Sequence, residues 1–198
     1  MPKAALPVLA AVFAAGCFHE PVPAYKTVPD GARVYFSNHR LKDLSVESTK
    51  WNPAVVDYLN LDRNELTNVS EVARFAELKW LRLNYNRLAE LPDLRPLTKL
   101  RRIYLRANRF AEVPATLADL PALTDVELSH NPISEVPEWL AKKPGLKNLS
   151  FSHTKITKLP EDLSAWETLQ SLQLGGLAIS AEEMARIRKA LPKVAIVF

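Results

Sequence analysis

Leu100 to Ala122, LRRIYLRANRFAEVPATLADLPA, decides the reading of this chain. Its apolar residues fall at Leu100, Ile103, Leu105, Phe110, Val113, Leu117 and Leu120, with Asn108 set among them. The same frame restarts at Leu78, Leu123, Leu146 and Leu169, so successive starts are 22, 23, 23 and 23 residues apart. Looser copies begin at Val56 and Gly31. Self-similarity at such a period marks a solenoid, in which each unit buries its apolar side against the next.

Within the unit, Ile103 and Leu105 alternate with polar neighbours, the pattern of a short strand with one buried face. Asn108 then ends the strand, because its amide offers two donors and an acceptor to a tight turn. Stacked copies predict a structural ladder of Asn64, Asn86, Asn108 and Asn131. In the second half, Pro92, Pro114, Pro137 and Pro160 form a column in which φ is fixed and a backbone donor is missing. That half is expected to run as extended or 3₁₀ turns on the outer side. Thr154 replaces the ladder Asn in the sixth unit and is expected to bond its turn less fully.

The pattern Leu78, Leu81, Leu83, Asn86, Leu88, repeated as Leu100, Ile103, Leu105, Asn108, Phe110 and again as Leu123, Val126, Leu128, Asn131, Ile133, resembles the leucine-rich repeat family. The resemblance covers residues 31–198. It implies an α/β solenoid: a horseshoe with one parallel strand per repeat on its concave face, about seven repeats and a C-terminal helix–strand cap. The first repeat, 31–55, is atypical, with His39 where the ladder Asn belongs; Trp51 is read as packing there. In the cap, 180–198, Ser180 and Glu183 form a capping box ahead of Met184, Ile187 and Leu191 at helical spacing. Pro192 stops that helix, and Val194, Ile196 and Phe198 alternate as a last strand that closes the stack.

The N-terminus carries a different signal. Residues 1–16 hold one cation, Lys3, and are otherwise small and apolar, too short to span a bilayer. Cys17 is the only cysteine, which excludes a disulfide framework. Ala14-Ala15-Gly16-Cys17 resembles the lipobox of bacterial lipoproteins, with Ala14 where that family prefers Leu. The resemblance implies cleavage before Cys17, a diacylglycerol on its sulfur and an acyl chain such as palmitate on its amine. In lipoproteins of enteric bacteria Asp after the cysteine is linked with inner-membrane retention, so Phe18 there implies the outer membrane for a Gram-negative host that sorts in that way. Residues 17–30, with Pro21, Pro23 and Pro29, read as a Pro-rich tether.

A formal charge of +4, interspersed along the chain, gives no reason to expect nucleic acid. No nucleophile elbow, zincin helix or phosphate loop is present, so no catalytic residue and no cofactor are expected. His130 and His153 share a column of adjacent repeats and are read as exposed turn residues rather than metal ligands.

The strand positions that point away from the core say more. Tyr58, Trp80, Arg82, Arg102, Tyr104 and Arg106 gather on the concave face of repeats two to four, and Tyr85, Arg87 and Arg109 extend them onto the rim. Trp, Tyr and Arg dominate binding hot spots. The expectation is a membrane-tethered, monomeric, non-enzymatic module of a bacterial envelope that binds an as yet unidentified protein, with Asp125 and Glu127 setting register. The alternative is a receptor or adhesin whose arginines hold an anionic envelope polymer or glycan.

Overall fold

A computed structural model describes residues 25–28 and 31–198, with side chains described from Arg33 onward. The leader, Cys17 and the tether as far as residue 24 lie outside the described residues.

The chain winds into one nine-stranded sheet whose strands follow sequence order. β1 (Tyr25–Val28), β2 (Gly31–Tyr35), β3 (Val56–Asn60), β4 (Trp80–Arg82), β5 (Arg102–Tyr104), β6 (Asp125–Glu127), β7 (Asn148–Ser150), β8 (Ser171–Gln173) and β9 (Ala195–Val197) lie side by side. Every neighbouring pair from β2 to β9 is parallel. The register is the one that the repeat frame dictates. Arg33, Tyr58, Trp80, Arg102, Asp125, Asn148 and Ser171 form one row, and Leu59, Leu81, Ile103, Val126, Leu149 and Leu172 the row beneath it.

That second row and its companions, Leu61, Leu83, Leu105 and Leu128 among them, are fully buried in a single continuous core. The outer side closes it with 3₁₀ turns at Glu47–Lys50, Ser70–Arg74, Ala115–Leu117 and Ser164–Thr168. The fifth unit departs from the expected extended or 3₁₀ path and forms a short α-helix, α1 (Glu138–Ala141). Pro137 leads into it with φ already set, and Glu138 sits favourably in its first turn. Trp51 is 4% exposed and packs against Phe36 and Phe75, as a core residue should.

The Asn ladder is present, and its bonds run between repeats as well as within them. Asn108 Nδ2 donates to Leu105 O at 3.0 Å in its own repeat and to Leu83 O at 2.9 Å in the preceding one, while its Oδ1 accepts from Leu88 N at 3.1 Å. Asn86 repeats this with Leu83, Leu61 and Leu66, and Asn131 with Leu128, Leu105 and Phe110. Asn64 reaches back to Phe36 O, Leu41 N and His39 N. Thr154 breaks the series: its Oγ1 is buried without a partner, where partial bonding of the turn was expected. The hydroxyl is too short to reach the carbonyls and N–H group that an Asn amide spans.

A second row of cross-repeat bonds was not foreseen. Asp62 Oδ1 accepts from Asn84 N at 2.8 Å, and Asn84 Oδ1 from Arg106 N at 2.9 Å. Asn84, whose alternation from Leu83 would place it on the open face, is therefore only 6% exposed.

Both ends differ in detail from the sequence expectation. Tyr25–Val28, assigned to the tether, is a strand that pairs antiparallel with β2. The two-residue connection Pro29-Asp30 followed by Gly31 has turn composition, and Tyr-Lys-Thr-Val is β-prone, so the three prolines masked a hairpin. At the other end, α2 (Ala181–Ala190) has Ser180 as its N-cap, accepting from Glu183 N at 3.2 Å. The Glu183 carboxylate does not return to the cap; it accepts from Leu159 N at 2.9 Å and from Arg186. Those Arg186 bonds hold the Glu183 carboxyl below its usual range against the opposing effect of burial. β9 extends the sheet rather than covering its end, and leaves Val197 48% exposed.

Removing one ladder amide leaves buried turn groups unpaired, so Asn108→Ala is expected to cost about 1–3 kcal/mol in chemical denaturation. Thr154→Asn is expected to raise stability by about 1 kcal/mol by completing the series. A Thr154→Asn protein no more stable than wild type would show that the sixth turn has no room for the amide.

A candidate binding face and its rim

Side chains on either side of the buried residue at the row Val34, Leu59, Leu81 and Ile103 project from the sheet away from the core, because successive residues alternate. From β2 to β5 these positions hold large rings and guanidinium groups, with Asn60 the exception, and they interlock. Tyr35 meets Tyr58 with ring centroids 5.2 Å apart, and Tyr58 meets the edge of Trp80 at 5.7 Å. The Arg102 guanidinium lies 4.7 Å from the Trp80 ring centroid, and that of Arg82 5.3 Å from Tyr104. Tyr58, Trp80, Arg82, Arg102 and Tyr104 thus form one contiguous half-buried patch, with Tyr35 and Arg33 continuing it over β2. Arg106 stands at the edge of this patch and turns towards the rim.

The arginines of the patch are already partnered. Arg82 Nη2 lies 2.6 Å from Asp62 Oδ2, and Arg102 Nε lies 3.7 Å from Asp125 Oδ2. Asp125 also accepts from Asn148 Nδ2 at 2.7 Å and from Thr124 Oγ1. Glu127 Oε1 accepts from Ser129 N at 2.8 Å. Asp125 and Glu127, assigned from sequence to a partner's charges, therefore serve first to organise their own surface. Beyond Tyr104 the side chains shrink, leaving a shallow depression of about 130 Å³ lined by Tyr104, Glu127, Asn148, Ser150, Ser171 and Gln173. The step from a ring to small polar groups makes Ser150 and Gln173 part of the patch's border.

At the carboxyl end of each strand, the residue just before the ladder position has a left-handed backbone: Asn38, Arg63, Tyr85, Ala107, His130, His153 and Gly176 have φ between 53° and 74°. At Arg63, Tyr85, Ala107 and His130 the ladder amide that follows bonds the backbone on both sides of the residue and supports a conformation that most side chains avoid; Asn38, His153 and Gly176 adopt it without such an amide. The column consequently projects its side chains outward as a ridge. Arg63 stacks on Tyr85 at 4.7 Å, and the His130 and His153 rings stack at 4.4 Å. A β-carbon at Gly176 would collide with His153 Nδ1, so glycine there makes room for the imidazole. His130 Nε2 lies 2.8 Å from Arg106 Nη2, whose N–H donates to it. That bond needs a bare Nε2 and so a neutral ring. Among the described residues, no group of three or more His, Cys, Asp or Glu side chains comes together to hold a metal ion.

No protein-family profile matches the chain, and no curated protein matches its sequence. Solved structures do match its shape. An internalin from Listeria monocytogenes superposes with a TM-score of 0.57 at 22% identity, over 82% of this chain and 56% of the internalin. A leucine-rich-repeat protein of Leptospira interrogans is matched over 72% of this chain and 55% of its own, with 23% identity and a TM-score of 0.43. The chain is a leucine-rich-repeat solenoid. It spans little more than half the length of either protein it resembles. Among the described residues no helix of this solenoid is long and apolar enough to cross a membrane.

Burial of one ring face, then the charges of Arg106 and His153, hold the His130 imidazole below its usual pKa, with Glu127 opposing. The unfolded chain therefore takes up that proton first as pH falls through about 6.5. Stability contributed by neutral His130 is present above that value and lost below it. Thermal melts between about pH 7.5 and 5.5 are expected to show a decline that His130→Asn, which tolerates the left-handed backbone and does not titrate, makes shallower. An unchanged decline in the variant would assign it to other groups.

Proposed function

We propose that the solenoid is a non-enzymatic binding module that presents the aromatic–arginine patch of β2 to β5 to a protein partner, tethered by an acylated Cys17 to the outer membrane of a bacterial envelope. The observation that supports a protein partner is the internal pairing of the patch. Arg82 and Arg102 give their charge to Asp62 and Asp125, so the surface offers rigid rings and fixed hydrogen-bonding groups rather than free cations. Such a surface gains affinity by burying preorganised area, since its side chains lose little further freedom on contact. A glycan or polymer gripped by these same arginines would first have to displace two carboxylates.

Truncating Trp80 removes an edge contact to Tyr58 and the platform beneath Arg102, so Trp80→Ala is expected to cost about 1 kcal/mol of stability. Its effect on binding should be larger, about 2 kcal/mol or more at a true anchor. With photo-crosslinking residues placed at Tyr104 and, as a control, at Glu112 on the outer side, the Tyr104 site should capture envelope protein and the Glu112 site should not. Equal capture at both, or unchanged capture at Tyr104 in a Trp80→Ala background, would remove the patch as the site.

Anchoring is tested separately. Cys17→Ala is expected to abolish incorporation of labelled fatty acid and release the protein from the membrane fraction. Equal labelling of wild type and variant would overturn the lipid anchor and leave the binding face unaffected.

A further inference from the structure

The ridge at the carboxyl ends of the strands carries charge of a different kind from the open face. Arg63, His130 and His153 project from the left-handed column, and Arg87, Arg109 and Lys155 stand two residues further on in their own repeats. All six are exposed. Arg87 alone of them forms an ion pair, with Glu65 at 3.1 Å. The Arg63 guanidinium rests on a tyrosine ring, and Arg109 and Lys155 meet no carboxylate among the described residues. Arg106 adds its charge from the edge of the patch, where its partner is an uncharged imidazole. The acidic column Glu90, Glu112 and Glu135 lies three residues beyond, towards the outer side, and makes no ion pair with these cations. The repeat register spreads these basic groups from the second repeat to the sixth, four strand spacings of about 4.8 Å, or roughly 20 Å, with Glu65 and Pro132 interrupting the column of Arg87, Arg109 and Lys155.

Arg63, Arg109 and Lys155, with Arg106 beside them, meet no carboxylate among the described residues and fall in the second, fourth and sixth repeats, so they are complementary to an extended anion rather than to a single phosphate. We propose that this rim is a second binding site, separate from the patch, which takes an anionic polysaccharide laid across the repeats. Sulfate, phosphate or carboxylate groups along the polymer would each meet one cation without displacing a carboxylate from a neighbour. The rings of the rim disfavour a nucleic acid. His130 and His153 are stacked on each other and Tyr85 on Arg63, so successive bases find no pair of open aromatic faces. Arg101 and Lys147 on the opposite rim are also exposed, but Lys79 in their column is paired with Asp57, which among the described residues leaves unpaired cations in the fourth and sixth repeats only.

Dextran sulfate and uncharged dextran of equal length are titrated onto the full chain by calorimetry. Arg109→Glu/Lys155→Glu is compared with Arg101→Glu/Lys147→Glu, which makes the same change in net charge on the opposite rim. Dextran sulfate alone should bind, and the first pair should weaken it by roughly tenfold and the second by less than about twofold. Arg109→Gln/Lys155→Gln removes charge without reversing it and serves if the glutamate pair lowers the melting temperature. Equal weakening by the two pairs, or none from the first, would overturn the site. Tighter binding of a single-stranded oligonucleotide of matched charge would overturn the polysaccharide. Trp80→Ala should leave dextran sulfate binding unchanged; its loss there would place the polyanion on the open face and overturn the rim.

Discussion

A buried amide that belongs to two repeats at once is the contact on which the rest of this solenoid depends. Each ladder Asn closes its own turn and also bonds the backbone of the repeat before it, so no repeat completes its hydrogen bonding alone. Apolar burial along the Leu59–Leu172 row drives the stack together, but burial is non-directional and would accept a range of offsets. The amides accept one. They convert a greasy pile into a register in which every strand position lines up with its counterpart about twenty residues away.

The same amides shape the surface. To wrap a turn around Asn86, the chain places Tyr85 in the left-handed region, and the same arrangement recurs at Arg63, Ala107 and His130, while His153 keeps the conformation without an amide. These residues cannot turn inward, so the turn displays whatever it holds. A structural requirement in the interior thereby builds a ridge outside, whose chemistry the sequence is free to vary. The open face obeys a different rule. Its strands are only about 4.8 Å apart, so large side chains there must pair with their neighbours in the rows beside them. Arg82 with Asp62, Arg102 with Trp80 and Asp125, and Tyr58 with Trp80 are the outcome. Arg82 and Arg102 are paired with carboxylates on the face, whereas on the ridge, among the described residues, Arg87 alone is so paired.

Periodicity made much of this legible. The rows of the sheet, the buried positions, the ladder, the packing of Trp51 and the Ser180 cap all follow from residues whose direction is fixed by the strand or helix they sit on. What periodicity does not encode is where a side chain's tip goes once it leaves the backbone. Asn84 has the spacing of an open-face residue, yet its amide bends back to the neighbouring N–H and is buried. Glu183 has the spacing of a capping box, yet its carboxylate finds Leu159. Asp125 looked available to a partner and is held by Asn148. Each choice is made by a residue roughly 22 to 24 positions away in sequence, which a local pattern does not see. β1 was missed for the opposite reason, since the prolines around Tyr25–Val28 outweighed a four-residue strand.

Thr154 shows how such a chain tolerates a fault. The amide that should join the sixth repeat to the fifth is absent, and the hydroxyl in its place bonds nothing. Backbone pairing continues there, from Lys155 N to Ile133 O at 2.7 Å and His130 N to Ser152 O at 2.9 Å, but other junctions have that too. Two contacts are particular to this one. The Trp166 indole crosses to the fifth repeat and donates to Leu140 O at 3.0 Å, and the imidazoles of His130 and His153 stack across the same seam with room supplied by Gly176. One lies on the outer side and the other on the ridge, so they flank the missing bond. In a solenoid the stability of each junction adds nearly independently, and a weak one marks the boundary between units that open separately. The seam between the fifth and sixth repeats is where this molecule should divide. Its two bracing contacts are an indole and a pair of rings, one of which is held neutral, so the strength of that boundary is tied to pH in a way that an unbroken Asn ladder would not be.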